Sequence, residues 1–434
     1  MKTTLVIFGI TGDLSTRKLL PALANIIESG QVGDLSIIGV SRRAVEQFQV
    51  LGDHHERLGG TTSMFQMDLS APSDYARLKE YIGVQPDEKV LFYLSVPPAS
   101  MGEIIENLGN AGLNTPEYKL LIEKPFGTDL ETAHAMVNHI SGHFSEAQVY
   151  RIDHYLAKEM AQNIITFRAR NAMFAQLWSK EHIEKIDVIA LESISIEGRA
   201  AFYEQTGALR DIVQGHLLQL LALTILPLPE DDTFSWDSLP DRRLEALQWL
   251  QPADPSRSVH AQYDTYREEV GNPDSNVETF VSTLLESNDP NWKGVPMSLT
   301  TGKGLDKKKT EIRIHFRRMN MSQSNFLTFK LYPDEGIKID LVTRKPGYDQ
   351  EIENRSLSFS YATEARMPDA YEQVLVDAIK SRKSLFTCSG EVLRAWEILA
   401  PLQKTWARQT DIQKYSMGSR ARAVIGDLPT DELA

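Results

Sequence analysis

Residues 3–40 constrain the fold more than any other stretch. The run Thr3-Thr-Leu-Val-Ile-Phe-Gly9 reads as a strand buried on both faces of a parallel sheet. Ile10-Thr-Gly-Asp13 then turns the chain, and residues 14–29 repeat apolar side chains at helical spacing through Leu19, Leu20, Leu23, Ile26 and Ile27. A second apolar strand occupies 35–40, after Gly30 and Gly33. Strand, glycine turn, helix and strand make a βαβ unit, the crossover that a parallel pair requires. The turn carries Gly9-x-x-Gly12-Asp13-Leu14, a weaker fingerprint than Gly-x-Gly-x-x-Gly. Its physical requirement is the same, since glycine lets the backbone approach a pyrophosphate at a helix N-terminus. Strands at 89–95 and 118–123 extend the unit into an α/β, Rossmann-like dinucleotide-binding domain over residues 1–150.

At 434 residues the chain is too long for one ordinary core. From about Val188 the pattern changes to strands with long connections, at 279–285, 295–300, 310–316, 325–332 and 336–342. Residues 151–434 are therefore predicted to form an α+β domain around a large, mostly antiparallel sheet. Residues 197–207 read as a loop, 227–255 as a Pro- and acid-rich surface excursion around a short helix, and the tail from Tyr415 as frayed. Two helices, at 370–381 and 390–408, precede that tail. The apolar run 217–226 is about half the length of a bilayer span and stops at Pro227. Cys388 is the only cysteine, and the first strand starts with no cleavable signal before it, so a reducing, cytoplasmic setting is expected. A net charge of −13 argues against a nucleic-acid partner. It also means that an anionic substrate must be drawn by a local cluster of cations.

Such a cluster is legible. The second strand ends in Arg42 and Arg43 with no acid, which points to the 2′-phosphate of NADP over NAD; two solvated arginines are the alternative. Glu123-Lys-Pro-Phe-Gly127 follows a strand end, where ligands bind in such sheets, so Lys124 faces cofactor or substrate, and Pro125 is a candidate cis proline. In Arg151-Ile-Asp-His-Tyr-Leu-Ala-Lys-Glu159 the pattern suggests a strand running into a helix with Asp153 near its N-cap. His154 and Lys158 would then share one helical face and clamp a phosphate, unless they are only a solvated face. A helix from Ala208 carries Asp211 and His216, about 140° apart at helical spacing, so His216 needs another partner and Asp153 is the candidate. A satisfied core histidine is the competing reading. The loop Thr301-Gly-Lys-Gly-Leu-Asp-Lys-Lys-Lys309 is basic and Gly-hinged, either solvated or a second clamp.

Together with Arg210-Asp-Ile-Val-Gln-Gly-His216, Pro273-Asp-Ser-Asn-Val-Glu-Thr-Phe280 and Met367-Pro-Asp-Ala-Tyr371, these segments resemble glucose-6-phosphate dehydrogenases over nearly the whole chain. The resemblance implies oxidation of a sugar-phosphate C1 hydroxyl to a lactone, with hydride passing to NADP. It implies His216 as general base, oriented by Asp153. His154, Tyr155 and Lys158 correspond to a phosphate site, with Lys303 and Lys308 as basic support. Lys124, Glu192 and Asp211 correspond to residues that fix the sugar hydroxyls. Gly9, Gly12, Asp13, Leu14, Lys18, Arg42, Arg43 and Lys124 correspond to the cofactor site; no metal is implied. A homodimer or homotetramer is implied by analogy, as is a place in glucose metabolism and the pentose phosphate pathway.

The chain departs from the family pattern at Gly215, where Asn is usual before the histidine, and at Ala157, where Gly is usual. Thr300 and Thr301 stand where Arg is common, and Ala200 and Ala201 replace a glycine-bearing pair. These departures leave open a paralogue acting on another sugar or hexose phosphate, for example a 2-amino one. A cofactor-binding scaffold without turnover is the third reading, opposed by the intact Asp153, His154, Lys158 and His216.

Overall fold

Continuous apolar runs become parallel strands covered on both faces. In the computed structural model, which describes residues 2–85, 87–229, 234–318, 325–361 and 367–426, β1 (Thr3–Phe8), β2 (Leu35–Ser41), β3 (Thr62–Gln66), β4 (Lys89–Leu94), β5 (Tyr118–Ile122) and β6 (Val149–Ile152) form a parallel array. Its order is β6-β5-β4-β1-β2-β3. The second sheet contains β7 (Ile183–Leu191), β8 (Ser258–Tyr263), β9 (Phe280–Leu285), β10 (Met297–Gly302), β11 (Lys309–Phe316), β12 (Phe326–Tyr332), β13 (Gly336–Arg344) and β14 (Ile352–Ser360). β15 (Phe386–Thr387) returns to the first sheet, antiparallel to β6, and β16 (Gln413–Tyr415) closes the second beside β8. The nine-stranded order is β14-β13-β12-β11-β7-β10-β9-β8-β16, antiparallel except at β7–β10 and β8–β16. The expected fold class is thus the observed one: a Rossmann-like sheet domain and a domain with a large, mostly antiparallel sheet.

The chain crosses back over the predicted 150/151 division. Helix Ala370–Ile379 buries Val374, Leu375 and Ala378 with Leu5 and Ile7 of β1. Helix Ser389–Trp406 buries Val392 and Trp396 on the other face of that sheet, and Ile398, Leu399 and Leu402 in the core of the second. The segment 227–255 is not only a surface excursion. Within it, helix Leu239–Trp249 buries Leu239, Ala246 and Leu247, and its Arg243 is 0% exposed. Arg243 donates to Glu391, also 0% exposed, and to the Ser384 and Phe386 carbonyls, tying this helix to the returning segment. A buried cation is tolerated here because each of those donors has an acceptor. The loop expected at 197–207 holds a helix, Ala200–Ala208. The described part of the tail is ordered, with Tyr415 buried, while 427–434 lie outside the described residues. Among the described residues no helix is long and apolar enough to cross a membrane.

One helix runs through the middle of the second domain. It begins as a π-helix, Leu209–Leu217, and continues as Leu218–Ile225. Its N-terminal end is met by Glu278, whose carbonyl and Oε1 accept the Ala208 and Leu209 N–H groups. At Gly207 (φ 62°) a Cβ would stand 2.5 Å from that carboxylate, so the approach requires glycine. The C-terminal carbonyls, which a helix cannot satisfy internally, are claimed one by one. Arg168 donates to Leu223 and Leu226, Trp178 Nε1 to Thr224, and Trp292 Nε1 to Ile225. Replacing Arg168 by Ala strips two of these buried carbonyls. The expected cost is about 2–4 kcal/mol, read as a lowered unfolding midpoint; an unchanged midpoint would remove Arg168 from this role.

Candidate active site

β6 ends at Ile152, but no helix begins at Asp153. Residues 153–158 form successive turns, and helix Glu159–Arg170 starts only after Lys158. Asp153 turns its side chain on its own backbone, with Oδ1 accepting the Tyr155 N–H at 2.9 Å. This local bond competes with helix formation and explains the delayed start. His154 and Lys158 therefore do not share a helical face. The turns nevertheless bring both, with Tyr155, to one cavity of about 150 Å³ whose far wall includes Glu192, Lys308 and Tyr332.

The same Asp153 oxygen receives the Nδ1 of His216 at 2.6 Å. Both side chains are buried, at 1% and 2% exposure. Tyr155 stacks on the imidazole at 4.1 Å between ring centres and His154 meets it edge-on at 4.7 Å. The Nζ of Lys124 lies 2.8 Å from His216 Nε2 and also donates to the Asp211 carbonyl at 2.8 Å. An ammonium has no lone pair, so Nε2 is the acceptor and the proton sits on Nδ1, facing Asp153. Burial pushes His216 below its ordinary range; Asp153 opposes that fall and Lys124 adds to it. Burial alone would raise Asp153, but His216 and Lys124 overcome it and hold the carboxyl low. The pair at neutral pH is a carboxylate and a neutral imidazole with its lone pair on Nε2. His154 is driven well below its usual range by burial and by His216, so it enters the cavity as a neutral imidazole.

Asp153, His154 and His216 place one ligand atom each within 4.8 Å of one another. Asp153 and His216 spend theirs on each other, and the Lys124 ammonium at Nε2 repels a cation. The arrangement suits proton transfer. Asp211 reaches it through its backbone carbonyl. Lys303, expected as a free cation of the basic loop, is 3% exposed and paired with Glu192, which it fixes in the cavity wall. Lys308 does line the cavity, 4.5 Å over the Tyr332 ring. Of the unusual positions, Ala157 is buried, Thr300 bonds Ser282 inside the sheet, and Thr301 donates to the Ala190 carbonyl at the cavity wall.

A second cavity, about 440 Å³, opens at the carboxyl ends of β1 to β4, and Gly9, Gly12 and Arg42 line it. Gly9 has φ 82°, and a Cβ there would stand 2.2 Å from the Ser95 carbonyl, so the first turn can close on β4 only with glycine. Five predicted cofactor residues lie outside its lining, Lys124 among them because its ammonium is held at His216. Asp13 pairs with Arg17 at 2.7 Å, Lys18 with Asp369 at 3.6 Å, and Leu14 packs on the core. The Arg43 N–H bonds Ser41 Oγ at 3.3 Å. Thr11 of the first turn and Ser95 at the end of β4 also line the cavity, with Asp68, Ser70 and Glu103, which carry no motif in the sequence. Position after a strand end is the available signal, and β3 (Thr62–Gln66) has no apolar run to mark it as a strand.

The Glu123–Gly127 turn that carries Lys124 is held by Trp396, whose Nε1 donates to the Phe126 carbonyl. The Lys124–Pro125 bond is cis. Tyr93 donates to Glu123, whose carboxyl is raised to about 7, chiefly by burial. A raised acid contributes stability below its unfolded value near 4.5 and loses it as pH climbs through about 7. Glu123→Gln should therefore remove a loss of stability, on the order of 1–3 kcal/mol, that the parent shows between pH 5 and 8. Denaturant midpoints of both proteins across that window check it; parallel curves would sink it.

Residues 6–163 match the family model for the glucose-6-phosphate dehydrogenase NAD binding domain, and 165–430 the model for the C-terminal domain. Glucose-6-phosphate 1-dehydrogenase of Gluconobacter oxydans is 35% identical over 95% of this chain and 93% of that protein. The Chlamydia muridarum protein of that name is 33% identical, over 93% and 90%. A solved glucose-6-phosphate dehydrogenase in complex with its substrate glucose-6-phosphate superposes with TM-score 0.92 at 27% identity, covering 99% of this chain and 98% of that one.

Proposed function

The chain belongs to the glucose-6-phosphate dehydrogenase family, and on that premise we propose that it oxidises glucose 6-phosphate at C1 to the 6-phosphoglucono-lactone with NADP. The observation that carries the reading is the buried Asp153–His216 pair, with a lone pair left on Nε2 beside a cavity walled by Lys158 and Lys308. His216 Nε2 takes the C1 hydroxyl proton, and Asp153 steadies the imidazolium that results. Lys158, Lys308, the Tyr155 hydroxyl and neutral His154 receive the phosphate end. Glu192, seated by Lys303, faces the sugar hydroxyls, and Asp211 acts through its hold on Lys124.

Bound nicotinamide supplies the hydride acceptor. The second cavity fits a dinucleotide, since Gly9 closes the first turn and Arg42 stands at the end of β2. Arg42 supports NADP over NAD. The single thiol, Cys388, supports a reducing, cytoplasmic setting.

Initial rates with NADP and NAD against glucose 6-phosphate, glucosamine 6-phosphate and free glucose test the proposal. The fastest turnover is expected with glucose 6-phosphate and NADP, and no reduction with any sugar would refute it. His216→Asn should lower kcat on the order of a hundredfold or more. Lys158→Ala should raise KM for phosphorylated sugars only, and Arg42→Ala should narrow the preference for NADP.

We also propose that the free end of the second sheet pairs two copies of the chain into a homodimer or a homotetramer. β14 is exposed along most of its length, and Leu341, Ile352, Leu357 and Phe359 present apolar surface there, at 36%, 57%, 61% and 52% exposure. Leu357→Asp should lower the mass found by sedimentation; an unchanged mass would place the contact elsewhere.

A further inference from the structure

We propose that Gly215 is the seat of Lys124: its bare Cα lets the lysine stem lie against the π-helix, so that the ammonium stands on His216 Nε2 and caps the base until a hydroxyl replaces it. The inference rests on the assignment of His216 as the base. A Cβ at position 215 would lie 2.5 Å from Lys124 Nζ, 2.8 Å from Cδ and 3.1 Å from Cε. Three consecutive contacts along the stem mean that moving the ammonium tip alone does not make room. The outer end of the side chain, from Cδ to Nζ, must shift, and with it the two bonds of the ammonium, to Asp211 and to His216.

Gly215 touches neither substrate nor the reacting atoms in this scheme; it is a positioning residue. It acts by fixing where one positive charge sits. The groups facing His216 are Asp153 from the end of β6, His154 and Tyr155 from the following turns, Lys124 from the turn after β5, and Asp211 from the π-helix itself. Lys124 is the one amine among these five; burial lowers it, while Asp153, Asp211 and Glu123 favour its ammonium form. Its ammonium keeps the proton off Nε2 and points the lone pair into the site. A sugar hydroxyl that displaces it donates its proton to that lone pair, while the Asp211 carbonyl can keep the ammonium close by.

The test reads His216 in the substrate-free protein by NMR of histidine-labelled enzyme, with the resonance assigned by its loss in His216→Asn. Lifting a cation from beside an imidazole raises its titration, so Gly215→Ala should shift His216 upward by about one pH unit. Lys124→Met should do the same. The double variant should move no further than Lys124→Met alone, since both changes remove one contact. Alanine is a better helix former than glycine, so a collapsed helix is not the expected consequence of Gly215→Ala. If Lys124→Met moves the titration and Gly215→Ala does not, Gly215 does not seat the lysine. If Lys124→Met leaves it in place, the ammonium does not stand on Nε2. A lowered melting temperature in Gly215→Ala with an unmoved titration would reduce the glycine to a structural role. The acid limb of kcat/KM should follow the same shifts. Absence of turnover in the parent enzyme would count against the proposed reaction and leave the NMR result standing by itself.

Discussion

The 2.6 Å bond between Asp153 and His216 is the contact on which the rest of this molecule depends. Its partners are 63 residues apart, and both are buried. A carboxylate taken out of water is costly unless donors surround it, so the pair persists only where two distant backbones are fixed relative to each other. One end is fixed by the first sheet, where β6 lies between β5 and β15. The other is fixed by a helix anchored at both ends, through Glu278 and through Arg168, Trp178 and Trp292. The helix Ser389–Trp406, which reaches both cores and holds the Phe126 carbonyl, keeps the two supports from drifting apart.

What could be read from the sequence follows from range. Strands of the parallel sheet are buried on both faces and spell themselves as unbroken apolar runs, so β1, β2, β4 and β5 were legible. β14 was not, because nearly every side chain of Ile352–Ser360 is exposed and no alternation marks a covered face. The helix Leu239–Trp249 was mistaken for surface because its buried face includes Arg243, whose partner Glu391 is 148 residues away. The partnership of His216 with Asp153 was reached by eliminating the neighbours on its own helix. The turns after Asp153 were not foreseen, since a side-chain bond to Tyr155 N–H and a helix N-cap use the same residue type. His154 and Lys158 reached the predicted cavity by a different backbone path from the one expected.

Charge is distributed in the same economical way. A chain of net charge −13 cannot attract an anion by its overall field. Two lysines line the small cavity and a third stands at the base beside it, each set by a different constraint. Lys158 follows the delayed helix start, Lys308 lies over Tyr332, and Lys124 is bound to the base. Lys303 looked like one of this set by composition, but its pairing with Glu192 changes its task. It converts a carboxylate that would repel a phosphate into a fixed, neutralised acceptor for hydroxyl groups.

The π-helix accounts for how one lysine serves two residues of the helix. At ordinary helical spacing Asp211 and His216 would lie about 140° apart, on different sides. In this segment the backbone bonds run five residues back, as from the Leu218 N–H to the Val213 carbonyl. The wider turn brings residue i+5 round towards residue i. The Asp211 carbonyl and the His216 ring therefore face one point, and Lys124 occupies it. A second π segment, Ser15–Leu19, follows the glycine turn of the other cavity, where Ser15 Oγ bonds the Gly9 carbonyl. Wide turns form less readily than α-turns and are short when they occur. Their presence at both cavities fits positions where direction of approach matters more than local helix stability. At Leu209–Leu217 the long-range anchors at both helix ends supply the stability that the local geometry gives up.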